Sequence, residues 1–134
     1  MKVKICGITS LDDAAMCEDL GADALGFVHV EGRGRSRSLD EISEMCSSVG
    51  PMTSTVLVCR PGTLAEAERM FAASGAKVLQ LHSLGPDDID LLRCEGVRVI
   101  RAVRPDLAEA SRFTEHVDAL LFEDSVPGTG SSYD

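Results

Sequence analysis

The sequence predicts an α/β fold with a parallel sheet, and three observations carry that prediction. Six short, apolar, β-branched runs recur along the 134 residues. An amphipathic stretch separates each run from the next, and a glycine often closes that stretch. The runs begin about every 20 to 30 residues, the spacing of right-handed βαβ crossovers. A doubly wound open sheet and a closed barrel both fit this alternation, so periodicity alone leaves the two open.

The individual elements follow from the same signals. The predicted strands are residues 3–6, 24–28, 55–59, 78–82, 97–102 and 118–122. Ser10 with Asp13 is a typical N-cap of the first helix, and Thr63 with Glu66 predicts a capping box at the start of the third. Further helices are predicted over residues 40–49, from Pro86, and more weakly over 107–114. Glycines at positions 21, 75 and 96 are the predicted ends of the first, third and fourth helices.

The composition of the chain limits which binding partners and which cellular location are expected. The formal net charge is −9, with 22 acidic residues against 13 basic ones, which argues against nucleic acid or an anionic membrane as a partner. We expect a cytoplasmic protein, because no apolar run approaches the roughly 20 residues of a membrane span and the first strand is too short for a signal peptide. The five cysteines contain no CxxC pair, so neither a zinc site nor a disulfide framework is indicated.

Polar side chains at the ends of strands are the candidates for chemistry, because active sites of parallel α/β folds lie at the carboxyl ends of their strands. Cys6 ends the first strand, and an arginine-rich loop, residues 33–37, follows the second. Gln80 and His82 end the fourth and share one side of it by the period of two. Glu123-Asp124 and a glycine-rich segment, residues 127–130, follow the sixth. His29 and His116 belong to no such motif and are expected at the surface.

These motifs resemble the phosphoribosylanthranilate isomerase family of tryptophan biosynthesis. The matching segments are KICGIT (4–9), DDA (12–14), GADALGFV (21–28), QLH (80–82), VIRAV (99–103), DALL (118–121), GTG (128–130) and Asp134. KICGIT together with QLH is a specific combination. The resemblance implies a (β/α)8 TIM barrel, of which residues 1–134 form a single domain with roughly the first six strands and five helices, incomplete at the C-terminus.

The activity implied by the resemblance is an Amadori rearrangement of N-(5-phosphoribosyl)anthranilate to 1-(2-carboxyphenylamino)-1-deoxyribulose 5-phosphate. Such an enzyme is an intramolecular oxidoreductase, an aldose-ketose isomerase. The chemistry needs one acid and one base and no metal or organic cofactor. The expected partner is a small phosphorylated aminosugar, and a homodimer is possible.

Family roles transfer to matching positions. Cys6 corresponds to the general base and Asp124 to the general acid, although unbroken counting from Asp118 puts Glu123 in the place of the acid. Arg37 corresponds to the arginine that binds the anthranilate carboxylate, with Arg35 as its rival.

The remaining family positions are expected to bind or shape the substrate. They are Gln80, His82, Gly128 and Gly130.

Two departures from the family pattern leave alternatives open. Pro127 stands where the family usually has a further glycine, and the last two βα units, whose loops bind phosphate, have no counterpart before Asp134. The chain is therefore read as a portion of a full isomerase, as a short member completed by another chain or by self-association, or as a non-catalytic binding or scaffold domain. We rank these alternatives in that order.

Overall fold

A computed structural model describes residues 1–124 of the chain, and the expectations for Gly128 and Gly130 lie outside this range. Strands and helices alternate along it. In chain order the elements are β1 (Lys4–Cys6), α1 (Leu11–Asp19), β2 (Ala24–His29), α2 (Leu39–Ser48), β3 (Ser54–Cys59), α3 (Leu64–Ser74), β4 (Val78–Leu81), α4 (Pro86–Cys94), β5 (Arg98–Val103), α5 (Leu107–Phe113) and β6 (Ala119–Phe122). Each predicted strand and helix is present, and the bounds of the strands differ from the prediction by at most one residue at each end.

The sheet settles the choice between the two architectures. Its strands are all parallel and lie in the order β1-β2-β3-β4-β5-β6, so every strand pairs with its neighbour in sequence. A doubly wound sheet instead reverses its strand order at a switch point. Consecutive parallel strands joined by helices form the wall of a (β/α) barrel. The barrel prediction is confirmed, with six strands and five helices in the described part of the chain.

Capping side chains define where the helices begin. Ser10 Oγ accepts a hydrogen bond from the backbone N–H of Asp13 at 3.1 Å, as predicted. Thr63 Oγ1 accepts one from Glu66 at 3.2 Å, but the Glu66 carboxylate accepts from Gly62 rather than from Thr63. The full reciprocal capping box therefore lies elsewhere, at the start of α2, between Ser38 and Glu41.

Alternation along the strands separates the core from the site. In β4, Leu79 and Leu81 are fully buried in the core between sheet and helices. On α4, Ile89 and Leu92 are fully buried in the same core. Gln80 points to the opposite, concave face, because successive side chains of a strand alternate. No helix within residues 1–124 is long and apolar enough to cross a membrane.

Candidate active site

A cavity of about 600 Å³ lies at the carboxyl ends of the strands, on the concave face of the sheet. It collects side chains from both ends of the described chain, since β1 and β6 both contribute to it. Its reactive and charged lining residues are Cys6, Arg33, Arg35, Arg60, Gln80, His82 and Glu123. Five of the seven predicted site residues fall within the described range, and three of them, Cys6, Gln80 and His82, line this cavity.

Glycines make room for Cys6 and for the arginine beside it. Cys6 pairs with Gly26 across the β1–β2 ladder, and a Cβ at Gly26 would lie 3.1 Å from Cys6 Sγ. Gly7 has a φ of +82°, which favours glycine, and a Cβ there would lie 2.8 Å from Cδ of Arg35. The Cys6 side chain is exposed. The thiol therefore stands open to the cavity, with the Arg35 side chain packed against the next residue.

Arg37 is held by the loops around it rather than by this cavity. Its Nε donates to the carbonyl of Thr9 at 3.2 Å, and its Nη1 donates to the carbonyl of Ser36 at 2.7 Å. It lines a second cavity of about 730 Å³, together with His29 and Arg69. The structure thus places Arg35, the rival candidate, beside Cys6 and places Arg37 under the β1–α1 loop.

Gln80, His82 and Glu123 form a chain of contacts across the cavity. Gln80 is 1% exposed, and its Nε2 lies 3.1 Å from His82 Nε2. On the other side of the ring, His82 Nδ1 lies 3.5 Å from Glu123 Oε2. Glu123 Oε2 and Gln80 Oε1 are buried and make no hydrogen bond with the residues described. The His82 ring therefore lies between the Gln80 amide on one side and the Glu123 carboxylate on the other.

Burial and nearby charges shift the pKa values of His82 and Glu123. Burial lowers the pKa of His82 to about 4, and the positive charges of Arg101, Lys4, Arg60 and Arg33 act in the same direction. Burial raises the pKa of Glu123, while Lys4 and Arg33 oppose that rise. The imidazole is therefore neutral at physiological pH, and Glu123 holds a proton more readily than an exposed glutamate. Within residues 1–124 no group of three His, Cys, Asp or Glu side chains is placed to hold a metal ion.

Glu123 and Asp124 occupy different positions relative to the cavity. The Glu123 N–H donates to the carbonyl of Val103 at 2.9 Å, which extends the β5–β6 ladder by one residue beyond the strand. Glu123 lines the cavity, and Asp124 follows it, half-buried, in the loop. Alternation gives Glu123 the same side as Leu121, the concave side, because odd-numbered residues of β6 share one face.

The sequence reasoning missed Arg60, which follows β3 directly and lines both cavities. The strand-end rule applied to β3 would have found it, because Arg60 is the first polar residue after an apolar strand. His29 and His116, expected at the surface, are both partly exposed, and each ring makes one polar contact with the protein. His29 Nδ1 lies 2.8 Å from the carbonyl oxygen of Arg37, and His116 Nδ1 lies 2.9 Å from Asp90 Oδ2.

Fold and site together define a (β/α)-barrel protein with its polar cavity at the carboxyl ends of the strands, where such barrels carry their active sites. Comparison with known proteins narrows this class. The family model described as N-(5'phosphoribosyl)anthranilate (PRA) isomerase matches residues 3–134. The chain therefore belongs to the PRA isomerase family, as its motifs predicted.

Individual relatives agree with the family model. The chain is 33% identical to the N-(5'-phosphoribosyl)anthranilate isomerase of Haloferax volcanii, with 99% of this chain and 64% of that protein covered. It is 36% identical to that of Symbiobacterium thermophilum, with 100% and 62% covered. Among solved structures, the phosphoribosyl anthranilate isomerase of Thermus thermophilus superimposes with a TM-score of 0.89 at 32% identity, covering 100% of this chain and 68% of that one. The chain thus spans slightly less than two thirds of these two curated relatives.

The depressed pKa of His82 predicts a pH dependence of stability. In the unfolded chain a histidine titrates near 6.5, whereas the folded state resists protonation of His82 until about pH 4. Between these values the unfolded state binds more protons, so this group's share of the stability is complete above about pH 6.5 and is lost as the pH falls toward 4. We expect the free energy of unfolding of the wild type to fall more steeply over this interval than that of His82→Asn, measured by urea denaturation at several pH values. Parallel curves for the two proteins would contradict a buried, neutral His82.

Proposed function

We propose that this chain carries the catalytic face of a PRA isomerase, acting on N-(5-phosphoribosyl)anthranilate. The observation that supports this most is that Cys6 and Glu123, from the two ends of the described chain, line one cavity together with Arg35. An Amadori rearrangement needs a base, an acid and a cation for the carboxylate of the substrate. One solved relative of the chain is described as a complex with reduced 1-(o-carboxyphenylamino)-1-deoxyribulose 5-phosphate, and it superimposes with a TM-score of 0.72 at 29% identity.

The proposed reaction proceeds in balanced steps. The acid donates a proton to the ribose ring oxygen, the bond from C1 to that oxygen breaks, and C1 forms an imine with the anthranilate nitrogen. The base removes the proton from C2, which gives an enolamine. Protonation at C1 and loss of the enol proton then give the ketone at C2. Because C1 is reduced and C2 is oxidised within one molecule, the enzyme belongs to the intramolecular oxidoreductases, and the steps use no cofactor.

Cys6 is the proposed base. It ends β1 and lines the cavity, its side chain is exposed, and the missing side chain at Gly26 leaves room for its Sγ. The thiolate is the form of cysteine that accepts a proton. Arg33 and Arg35 line the same cavity as Cys6.

The acid is proposed to come from Glu123-Asp124. Family position by the Asp-Ser match favours Asp124, whereas the contacts support Glu123, which lines the cavity and whose pKa is raised by burial. A general acid must be protonated near neutral pH, so a raised pKa suits it. We therefore favour Glu123 as the group that protonates the ring oxygen.

The carboxylate of the substrate is proposed to bind an arginine of the β2–α2 loop. Arg35 is favoured over Arg37, since it lies beside Cys6, whereas the Arg37 guanidinium is engaged by two backbone carbonyls. A planar guanidinium offers two parallel N–H donors to a carboxylate. Gln80, His82, Gly128 and Gly130 remain proposed substrate-binding positions, the first two because they line the cavity and the glycines by family position alone.

We further propose that additional βα units close the barrel, in the same protein or from another chain. β1 and β6 each pair on one side only within the described residues. Ile5 is 39% exposed and Phe122 41%, although their ladder partners Leu25 and Val103 lie in the core. Closure would cover them. A homodimer and a cytoplasmic location are proposed as well; one relative's structure concerns monomers generated from the dimeric isomerase of Thermotoga maritima.

The function is tested by adding the purified chain to freshly prepared phosphoribosylanthranilate and following the loss of its fluorescence. We expect turnover that Cys6→Ala lowers by at least 10³-fold, because it removes the base. The reduced product analogue should also slow alkylation of Cys6, read by mass spectrometry, and leave Cys94, the other exposed cysteine, unaffected. Binding without turnover would favour the scaffold alternative. If the chain shows no turnover and the analogue does not protect Cys6, the proposed function is refuted for these residues.

Two adjacent carboxylates provide a matched test of the acid. We expect Glu123→Gln to lower kcat by about 10²-fold or more and Asp124→Asn to change it by less than about threefold, because only Glu123 faces the cavity. Both substitutions remove one negative charge, so the comparison isolates position. The reverse order of effects would assign the acid to Asp124.

The arginine that binds the carboxylate is tested in the same way. Arg35→Gln should raise KM about tenfold or more, since it removes a charge-assisted hydrogen bond to the substrate. Arg37→Gln should instead lower the stability of the protein through its lost contacts to Thr9 and Ser36, with KM nearly unchanged. A larger effect on KM from Arg37→Gln would restore the family assignment.

A further inference from the structure

The contact between Gln80 and His82 is linked to which nitrogen of the imidazole carries the proton. Gln80 Nε2 is an amide nitrogen, which donates hydrogen bonds and accepts none. It lies 3.1 Å from His82 Nε2, and with the amide in this orientation His82 Nε2 accepts a hydrogen bond and carries no proton, while the buried Gln80 Oε1 has no hydrogen-bond partner among the described residues. In a neutral imidazole the other nitrogen then holds the hydrogen. This orientation of the Gln80 amide corresponds to the Nδ1–H tautomer of His82, in which the protonated nitrogen faces Glu123.

Glu123 supplies the acceptor that this N–H requires. His82 Nδ1 and Glu123 Oε2 are 3.5 Å apart, which is an ion-pair distance and slightly long for a hydrogen bond. Glu123 Oε2 is buried and makes no hydrogen bond with the other described residues. Hydrogen bonds within active sites are often long without substrate and shorten in the complex. A shift of about half an ångström would pair both groups.

We propose that Gln80 and His82 are positioning residues for Glu123: the Gln80 amide fixes the His82 tautomer, and the His82 Nδ1–H holds the Glu123 carboxyl toward the cavity. The inference rests on the proposed function only in calling Glu123 the acid, since the tautomer follows from contacts within the protein. Neutral His82 donates a hydrogen bond without adding a positive charge. It thus orients the carboxylate that remains after proton transfer, while burial still favours the protonated form beforehand.

Surrounding charges keep His82 in this neutral state. The cationic groups that act on it are Lys4 from β1, Arg33 from the β2–α2 loop, Arg60 after β3 and Arg101 from β5, and Glu123 is the facing anion. Four cations outweigh one carboxylate, and burial acts in the same direction. A doubly protonated His82 would also lose its contact with the Gln80 amide, because both groups would then be donors.

The tautomer can be read directly by two-bond ¹⁵N–¹H correlation spectra of the chain labelled with ¹⁵N-histidine, without substrate. The sequence contains three histidines, so His→Asn variants assign the signals. We expect His82 to show the neutral Nδ1–H pattern from pH 8 down to about pH 5. His29 is the internal reference, because its Nδ1 faces a carbonyl oxygen that only accepts. An Nε2–H pattern or an imidazolium at pH 7 for His82 would overturn the proposal.

Two variants test each contact separately. Gln80→Glu replaces the donor by an acceptor of the same shape, so we expect His82 to change to the Nε2–H tautomer while His29 keeps its pattern. Glu123→Gln should leave the tautomer unchanged and shift the His82 Nδ1 proton resonance, which reports the loss of the carboxylate acceptor. An unchanged tautomer in the first variant, or an unchanged Nδ1 resonance in the second, would refute the corresponding link. Since these spectra require no turnover, their outcome is independent of the isomerase assay.

Discussion

Parallel pairing of the strands in chain order is the constraint on which the site depends. Because every strand runs the same way, all six carboxyl ends lie at one edge of the sheet. Cys6 at the end of β1 and Glu123 after β6 therefore open into one cavity. The strand period of two adds a second sorting, which sends Leu79 and Leu81 toward the helices and Gln80 toward the concave face. A side chain can therefore reach the cavity only if it lies near the carboxyl end of its strand and on the concave face of the sheet.

The register that this arrangement needs is fixed at the opposite edge, where the strands begin. Asp23, just before β2, accepts a hydrogen bond at 2.8 Å from the backbone N–H of Val3. Asp118, just before β6, accepts one at 2.8 Å from Val99. Although partial burial opposes the charge, the bonds from Val99, Arg98 and Arg93 keep the pKa of Asp118 below its usual value. Holding the strands at their amino ends leaves the carboxyl ends free to carry residues chosen for chemistry rather than for pairing.

The sequence predicted the elements well because their signals are local: apolar runs, caps and glycines act within a few residues. The choice of a barrel over an open sheet required the KICGIT and QLH motifs, since strand order is a long-range property that periodicity does not contain. The ambiguity between Glu123 and Asp124 came from a one-residue shift, and only the position in the β5–β6 ladder shows which of them faces the cavity. Arg35 and Arg37 share a parity and a loop, so no pattern could separate them. Their packing against Gly7 and Thr9 does so.

The electrostatics of the cavity connect ligand binding with the protonation of Glu123. The chain has a net charge of −9, yet Arg33, Arg35 and Arg60 all line this cavity. The cavity is therefore locally positive and favours anions, although the protein as a whole is negatively charged. Burial raises the pKa of Glu123, while Lys4 and Arg33 lower it. An anion that pairs with Arg33 reduces that lowering effect, because it cancels the nearby positive charge. We therefore expect an anion bound next to Arg33, but not one bound only to Arg35, to raise the pKa of Glu123 further and so to favour its protonated form.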